Sequence, residues 1–449
     1  MLREELVPPE EQIYNWIEEV FRQGVRRPGY PADRWAEQWI QDRYREFGLE
    51  SVRAEPVATP YWEPLRASLV VVRADGTEAE IPCCALPFCS PKHIEADLVA
   101  LDGGPVQGAV ALSELPLLRV PHSWYAGRAT WQFDPDGSFA GASQLLPATR
   151  PGQQAMEPAI AAGACGFVGV LAGYPGNSHE YYVPYDAKPR PIPGVWISGS
   201  DGERLKSWLA EGPVVVRLKV DARRESITSF NIVGELPGVD DEAVIIGSHH
   251  DGPWASAVED GSGIALVLAQ AAYWSRVPPA ERPHRLMFLL NGGHMSGGAG
   301  QATFVRSHRA ELDRVVLEVH LEHAANEVSE VDGELQPTGR PETRWWFTSR
   351  IPRLEAAVRE AIEAEDLRRS YRLPPTAWSE KPTTDGADFH LAGVPLVNYL
   401  TAPFYLFDAM DTMDKIHRPS LVPVTRATIR IINSTAGVSA SAMRAGETR

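Results

Sequence analysis

The stretch from residue 243 to residue 269, AVIIGSHHDGPWASAVEDGSGIALVLA, constrains this chain more than any other. Its apolar run, residues 243–247, predicts a buried strand, and that strand ends in the polar run Ser-His-His-Asp at 248–251. The acidic pair at 259–260 follows, directly before a glycine-containing turn and a helical apolar run. This order places imidazoles and carboxylates at the carboxyl edge of a sheet, where open α/β folds carry their chemistry.

Two interpretations of this stretch stay open. Imidazole and carboxylate groups together suit zinc and similar divalent ions, so His249 and Asp251 are candidate site residues. A His-His-Asp run at a strand end can equally be a hydrogen-bonded loop anchor. Asp260 can be the N-cap of the following helix, because aspartate favours that position.

The composition disfavours several functional classes. The formal net charge of −16 and the pI of about 5.3 argue against nucleic acid or an anionic membrane as the main partner. No segment approaches the ~20 apolar residues that span a bilayer, and the start, MLREELVPPEEQ, lacks the apolar core of a signal peptide. The four cysteines form no CxxC pair, which disfavours a cysteine zinc site. We expect a cytoplasmic protein, with a homo-oligomer left open.

Changes in composition and apolar patterning along the chain predict three regions. Residues 1–84 combine helices and strands that pack on the rest. Residues 85–222 alternate short apolar runs with turns rich in proline and glycine, which predicts a separate strand-rich module without a metal ligand. Residues 223–449 alternate strands and helices, as catalytic α/β domains do. The predicted elements outside the last part are helices at 9–24, 31–48 and 153–163 and strands at 51–57 and 65–73.

Two further strand ends carry candidate ligands. A strand at 285–290 runs into a glycine-rich loop with His294, and the glycine spacing there matches neither a dinucleotide nor a P-loop phosphate motif. The next strand ends in His-Leu-Glu-His. Alternation places His320 and Glu322 on one face and His323 on the other.

The ordered set of motifs resembles the co-catalytic di-zinc exopeptidase family, which includes bacterial leucyl aminopeptidases and glutamate carboxypeptidases. The matching pieces are Asn231-Ile-Val-Gly-Glu-Leu-Pro-Gly, Gly247-Ser-His-His-Asp, Asp260-Gly-Ser-Gly, the strand ending at Gly292, and Asp385…Ala392-Gly-Val-Pro followed by Asp411-Thr-Met-Asp-Lys. Residues 85–222 resemble the protease-associated domain often inserted in these enzymes, through Val106-Gln-Gly-Ala-Val-Ala-Leu and Ala161-Ala-Gly-Ala-Cys-Gly-Phe-Val-Gly-Val. The resemblance implies an α/β fold, with a mixed sheet sandwiched by helices and metals at the strand ends.

For the first metal, the resemblance implies a set of three ligands. His249 matches the family's histidine, Glu259 stands at the bridging aspartate, and Glu322 stands at an aspartate ending a later strand. Asp251 matches the carboxylate that orients the histidine, an outer-shell role.

For the second metal, the resemblance implies a loss of groups. The family's adjacent glutamates fall on Gly293 and His294, so the general base is absent and one ligand has become a histidine. The family's last histidine falls on Phe407, and His417 is an uncertain substitute.

We therefore expect a rebuilt, mononuclear site in a metal-dependent hydrolase that cleaves an amide-type bond in a small molecule or short peptide. One divalent ion, Zn or alternatively Mn or Fe, is expected on His249, Glu259 and Glu322. His294, or else His323, serves as extra ligand or proton shuttle. The expected aromatic substrate pocket comprises Trp254, Trp378 and Phe407. The alternatives are a non-catalytic binding protein that keeps the fold and a conventional metallo-aminopeptidase.

Overall fold

Two long antiparallel strands, Glu50–Arg73 and Val214–Leu236, run through the whole fold. In the computed structural model, which describes residues 2–446, they pair from Glu50 opposite Glu235 to Arg73 opposite Val214. The two separate strands expected at 51–57 and 65–73 are therefore one strand. The partner strand is unbroken, and a register shift between Pro64 and Arg66 lets the ladder continue past the prolines.

A single hydrogen-bonded sheet extends on both sides of this pair. The strand Glu50–Arg73, which pairs with Val214–Leu236 on one side and with the short strand Glu78–Ile81, lies outside the main strand order of this sheet. The order of the main path is Cys84–Ala85, Gly194–Ser198, Gly166–Ala172, Val110–Pro116, His93–Ala100, Val214–Leu236, Arg285–Asn291, Ala243–His249, Val315–Leu321, Leu396–Thr401, Arg344–Thr348, Ser370–Leu373 and Trp131–Phe133. This is the mixed α/β architecture that the sequence predicts.

Four neighbouring strands of this sheet are parallel to one another. Ala243–His249 pairs in parallel with Arg285–Asn291 and with Val315–Leu321, which pairs in parallel with Leu396–Thr401. Their carboxyl ends consequently meet at one edge. Strands covered by helices on both faces read as continuous apolar runs, and all residues of Ala243–His249 are buried.

Helices pack against the sheet. The helix Gly263–Ser275 is apolar on nearly all its faces, as expected for a helix that is buried on all sides. The helix expected at 153–163 is two short helices, since Pro158 lacks the amide hydrogen and stands in the first turn of the second. The helices are Glu10–Phe21, Pro31–Glu46, His122–Ala126, Thr149–Gln153, Glu157–Ala161, Gly199–Glu211, Gly263–Ser275, Ala299–Ser307, Pro352–Ala364, Ala387–Leu391, Arg418–Asn433 and Ala440–Ala445.

The segment 85–222 contributes strands to both ends of the sheet. Four of its strands, His93–Ala100, Val110–Pro116, Gly166–Ala172 and Gly194–Ser198, form a parallel group next to Val214–Leu236. Its short strand Trp131–Phe133 instead pairs with Ser370–Leu373 at the opposite edge. A small hairpin, Leu118–Pro121 with Ser143–Leu146, lies outside the large sheet. Within residues 2–446, no helix has the length and apolarity needed to cross a bilayer.

Candidate metal centre and its cavity

A cluster of two imidazoles and one carboxylate lies at the carboxyl edge of the parallel strands. His249 ends one strand, His294 follows the next, and Glu259 comes from the turn before the buried helix. Glu259 Oε1 is 3.4 Å from His249 Nε2 and 3.9 Å from His294 Nε2. One ligand-type atom of each residue lies within 4.8 Å of the others, so the three can hold one ion.

Hydrogen bonds to backbone oxygens fix the ring orientation of His249 and His323. His249 Nδ1 lies 2.8 Å from the carbonyl oxygen of Asp251, and His323 Nδ1 lies 2.6 Å from that of Thr401. A carbonyl oxygen only accepts, so each Nδ1 carries the hydrogen. Each Nε2 faces Glu259, and His323 Nε2 is 2.6 Å from Glu259 Oε2.

Asp251 contacts the residues His249 and His294 through different atoms. Its carbonyl, and not its carboxylate, accepts the hydrogen bond from His249; the nearest carboxylate oxygen is 4.0 Å from His249 Nδ1. The carboxylate accepts hydrogen bonds from the backbone N–H groups of His294 and Met295, at 3.0 and 2.7 Å. This aspartate therefore anchors the glycine-rich loop to the strand end that carries His249.

Two buried groups outside the cluster fix the loops that carry it. Asp411 accepts hydrogen bonds from the backbone N–H groups of Val258 and Glu259, both at 2.8 Å. The Arg26 guanidinium donates to the carbonyls of His250 and Ser256, at 3.2 and 2.9 Å. Glu259 is thus held by the N-terminal helical region on one side and by a late loop on the other.

A second group of ligand-type side chains adjoins the first. His320, Glu322 and Asp385 also offer ligand atoms within 4.8 Å of one another. Asp385 Oδ2 connects the two groups, at 3.1 Å from His294 Nδ1 and 3.6 Å from His249 Nε2. Glu322, expected on the same ion as His249, therefore lies with the second group.

The pKa shifts of His249 and Glu259 favour the forms that bind a metal, whereas the carboxylates of Asp385 and Glu259 raise the pKa of His294 against the effect of burial. Burial lowers the pKa of His249, and the neighbouring His294 adds to this effect. Against the effect of burial, His323 and His249 lower the pKa of Glu259. Burial, reinforced by Asp385, raises the pKa of Glu322 to about 7. A neutral imidazole beside an ionised carboxylate is the arrangement that coordination requires.

A cavity of about 560 Å³ opens on the cluster. Glu259, His294, Glu322 and His323 form its polar end, and Asp385 also lines it. The rest of the wall is mostly apolar, and its aromatic members include Trp124, Tyr125, Trp345, Phe347, Trp378 and Phe407. A large apolar space beside a few convergent polar groups is typical of a small-molecule site.

The structure brings two of the three expected aromatic residues to this cavity. Trp378 stacks on Trp124 with ring centroids 4.8 Å apart, and Phe407 stacks on Tyr185 at 5.0 Å. Trp254 lies outside the cavity lining. Its ring packs under the Arg27 guanidinium at 4.5 Å and its Nε1 donates to the carbonyl of Phe407, so it braces the wall from behind.

Sequence reasoning left out Asp385 as a site residue. It stands in the segment that carries the family resemblance, but Asp388 in the same segment is an equally plausible carboxylate before folding. Only the fold, which turns Asp385 towards His294, separates them. His417 lies apart from both groups, with its Nδ1 2.6 Å from Ser420 Oγ.

The donor set of the first cluster fits a divalent metal. Two histidines and one glutamate are the protein ligands of several catalytic zinc sites, in which the fourth position is left to water or substrate. Here the Nε2 of His249, which has no hydrogen-bond partner among the described residues, lies 3.4 Å from the Glu259 carboxylate, and Glu259 lines the cavity.

Sequence comparison finds curated relatives that match parts of the chain. No protein-family profile matches it. A protein named probable leucine aminopeptidase 2 from Aspergillus oryzae is 32% identical over 166 residues, which are 35% of this chain and 31% of the relative. Carboxypeptidase Q from Bos taurus is 24% identical over 289 residues, 62% of this chain and 57% of the relative. The alignments thus span less than two thirds of these relatives.

Solved structures match nearly the whole chain. A peptidase M28 precursor from Shewanella amazonensis has a TM-score of 0.70 at 21% identity, covering 95% of this chain and 93% of its own. The zinc aminopeptidase from Bacillus subtilis has a TM-score of 0.66 at 18% identity, covering 96% of both chains. The aminopeptidase from Aneurinibacillus sp. strain AM-1 has a TM-score of 0.66 at 17% identity, covering 97% of this chain and 96% of its own. The resemblance predicted from the sequence is therefore confirmed, and this chain has the fold of the zinc-dependent exopeptidases.

Proposed function

We propose that the protein is a metal-dependent hydrolase that cleaves an amide-type bond in a small molecule or a short peptide. The observation that carries the proposal is the convergence of His249, His294 and Glu259, of which His294 and Glu259 line the polar end of the cavity. The names of the relatives, leucine aminopeptidase and carboxypeptidase Q, support hydrolysis of this class of bond. Zn is the preferred ion, and Mn or Fe suits the same donors.

The residues around the cluster have different roles in the proposed hydrolysis. A divalent ion, when bound, supplies Lewis-acid polarisation of the scissile carbonyl and activation of a water. His323 lies in the cavity wall with Nε2 beside Glu259, and we assign to it the transfer of a proton from the water to the leaving amine. Asp251 positions both His249 and the loop of His294.

The cavity indicates the class of substrate. Its aromatic wall favours a substrate with a bulky apolar or aromatic group next to the bond that is cleaved. We also propose that residues 85–222 act as a protease-associated-like unit that adds to this wall. Trp124 and Tyr125 from that segment line the cavity, and none of the ligand-type clusters within residues 2–446 draws a member from it.

The proposal is tested by metal analysis together with a hydrolysis screen. Purified protein from metal-supplemented cultures is expected to contain Zn, and to hydrolyse aromatic amino-acid amides, free or N-acylated. His249→Ala should remove both the metal and the activity. The matched control His417→Ala, a buried histidine outside the clusters, should keep both.

The screen also distinguishes the alternatives. We expect negligible turnover of leucyl anilides, because Gly293 offers no carboxylate where the family resemblance places the base, and loss of a general base costs ~10² to 10⁴ in rate. Robust turnover of leucyl anilides would favour a conventional aminopeptidase. Absence of metal and of hydrolysis across the screen would favour a binding protein that keeps the fold.

A further inference from the structure

We propose that a small polar recess beside the metal cluster binds a carboxamide group of the substrate. The proposal rests on the proposed function, because it names the chemistry of a substrate for the same site. The recess has a volume of about 120 Å³; glycines of the loop 292–298 line it, together with His249, His294 and Asp385. The cavity of about 560 Å³, called the large cavity below, shares His294, Thr384 and Asp385 with the recess. The ligand-type cluster therefore lies between two cavities, one mostly apolar and one polar.

Three buried side chains of the recess each have a polar atom without a hydrogen-bond partner among the described residues. Asn291, Gln301 and Thr384 are 4%, 8% and 7% exposed, and the unpaired atoms are Asn291 Oδ1, Gln301 Nε2 and Thr384 Oγ1. Buried polar atoms are almost always paired, because an unpaired one loses its hydration without compensation. We infer that their partner is a group bound in the recess. The unpaired Nε2 atoms of His249 and His320, which line it too, belong to the ligand-type groups described above.

Backbone contacts fix which end of each side-chain amide is free. Asn291 Nδ2 donates to the carbonyl oxygen of Ser248 at 3.3 Å, so Asn291 offers its oxygen, which accepts. Gln301 Oε1 accepts from the backbone N–H of Asp388 at 3.3 Å, so Gln301 offers its nitrogen, which donates. The hydroxyl of Thr384 can do either. A group that pairs with all three side chains must therefore contain both a donor and an acceptor.

A carboxamide matches this set of atoms. Its carbonyl oxygen accepts from Gln301 Nε2, and its two N–H groups donate to Asn291 Oδ1 and Thr384 Oγ1. A carboxylate has no donor for Asn291, and it would lie beside the carboxylates of Asp385 and Asp388, which also line the recess. An ammonium group has no acceptor for Gln301.

The loop before the helix Ala387–Leu391 lies along the boundary between the two cavities. Its residues Thr384 and Asp385 line both of them. Trp378 lines the large cavity only, and Lys381 lines the recess only. A substrate whose cleaved bond lies at the ligand-type cluster extends into both cavities. We therefore assign to the substrate an aromatic group on one side of that bond and a carboxamide on the other.

The test is calorimetric titration of the purified protein with two ketones, which cannot be hydrolysed. One is benzyl ethyl ketone. The other is the keto-amide, in which the ethyl arm of the same ketone ends in a carboxamide. Both present a phenyl ring to the large cavity, but only the keto-amide reaches the recess with a polar group. The wild type should bind the keto-amide about 10-fold more tightly, the gain that one or two net hydrogen bonds provide.

Gln301→Met removes the free donor at nearly constant side-chain volume. It should lower the affinity for the keto-amide by about 5- to 10-fold and leave the affinity for benzyl ethyl ketone unchanged. The matched control is Gln270→Met. Gln270 is also a buried glutamine, its Nε2 donates to the carbonyl of Thr425, and it lines neither cavity. This variant should bind both ketones as the wild type does.

Circular dichroism checks that the variants fold. If Gln301→Met does not fold, Thr384→Val decides, because it removes a hydroxyl of the recess without changing the shape of the side chain. A loss of affinity confined to the keto-amide supports the proposal, and unchanged affinity for both ketones contradicts it.

The outcomes separate this proposal from the proposed function. Equal affinities of the wild type for the two ketones overturn the carboxamide site and assign the recess to bound water, and the hydrolase proposal stands. Tighter binding of the analogue whose ethyl arm ends in a carboxylate overturns the choice of group. Binding of neither ketone overturns this proposal together with the assignment of the large cavity to the substrate. The hydrolase proposal is judged separately, by metal content and by the hydrolysis screen.

Discussion

Two adjacent histidines at the end of one strand lead to opposite kinds of site. His249 faces Glu259 and His294, whereas the ring of His250 points to the other face of the sheet, where its Nδ1 is 2.9 Å from Asp33 Oδ1. With Glu37, this second set also consists of a histidine and carboxylates that are buried and within ligand distance. Residue type and burial therefore do not distinguish the two.

The difference lies in what else the carboxylates contact. Asp33 accepts a hydrogen bond from the backbone N–H of Gly29 at 2.7 Å, and Glu37 accepts from Phe230 N at 3.0 Å and from the Arg34 guanidinium. Against the effect of burial, Asp33 raises the pKa of His250 to about 9, while burial raises the pKa of Asp33 itself. Both ring nitrogens of His250 face acceptors, Asp33 and the carbonyl oxygen of Phe230, so we take the pair as an ion pair that ties the helix Pro31–Glu46 to the sheet.

The carboxylate of Glu259, by contrast, meets the imidazoles of His249, His294 and His323 at the wall of a cavity. A set of histidines and carboxylates is suited to a metal where the fold leaves lone pairs unused and keeps space beside them. The same set serves structure where protein donors already fill those positions.

The largest expected effect compares the two adjacent histidines directly. His249→Ala should lower metal affinity by more than ~100-fold, beyond the ~10- to 100-fold typical of outer-shell partners, because it removes a ligand. His250→Ala should keep the metal content of the folded fraction but lower stability. Elemental analysis of gel-filtered protein measures the first effect and urea unfolding the second. Equal metal loss in both variants would contradict the assignment of His249 to the metal and of His250 to the structure.

The next effect concerns the buried ion pair. Asp33→Asn leaves the charge of His250 without its partner, and breaking a buried pair from one side costs about 3–5 kcal/mol. Urea unfolding should show this loss, with metal content unchanged. The control is Asp42→Asn, an exposed carboxylate of the same helix, which should change the free energy of unfolding by less than ~0.5 kcal/mol. A metal-free but fully stable Asp33→Asn protein would show that this set, too, binds an ion.

A third buried histidine, His122, sharpens the comparison because it lies among aromatic rings. Its ring stacks on Phe139 at 4.4 Å, and burial, with the charge of Arg369, lowers its pKa to about 4. The unfolded chain takes up a proton near pH 6.5 and the folded chain near pH 4, so stability falls as the pH drops through this window, by up to about 3 kcal/mol. Above pH 6.5 neither state is protonated at His122 and the effect vanishes.

The measurement is urea unfolding of metal-free protein at pH 7.0, 5.5 and 4.5. His122→Phe preserves the aromatic stack but cannot titrate, so the fall in its stability with acid should be smaller than that of the wild type. Parallel curves for the two proteins would show that His122 is not protected from protonation.

The smallest expected effect concerns the aromatic end of the cavity. Trp378→Ala removes part of the apolar wall, so KM for an aromatic substrate should rise roughly 5-fold, equivalent to about 1 kcal/mol, with kcat nearly unchanged. Steady-state kinetics measures this split. The control is Trp208→Ala. Trp208 is partly buried, packs on Arg204 and does not line the cavity, so this change should leave KM unchanged. A fall in kcat with constant KM would place Trp378 in the chemistry instead.

The sequence alone predicts the strands whose ends carry the candidate ligands. Ala243–His249 and Val315–Leu321 are apolar runs that end in histidine and carboxylate, and a parallel sheet brings such ends to one edge. The alternation that places His320 with Glu322 is also read correctly, because the period of a strand is fixed by its backbone. The sequence predicts two strands where the structure has the single strand Glu50–Arg73, because the prolines interrupt the apolar pattern although the paired strand accommodates them.

The division of the ligands among groups required the tertiary structure. The family resemblance puts Glu322 on the ion of His249 and leaves His294 as an extra ligand or proton shuttle, but the fold places His294 with Glu259 and Glu322 with Asp385. It also makes the carbonyl of Asp251, and not its carboxylate, the partner of His249. Local pattern determines which residues stand at strand ends; which lone pairs remain unused depends on loops that are distant in sequence and meet only when the chain packs.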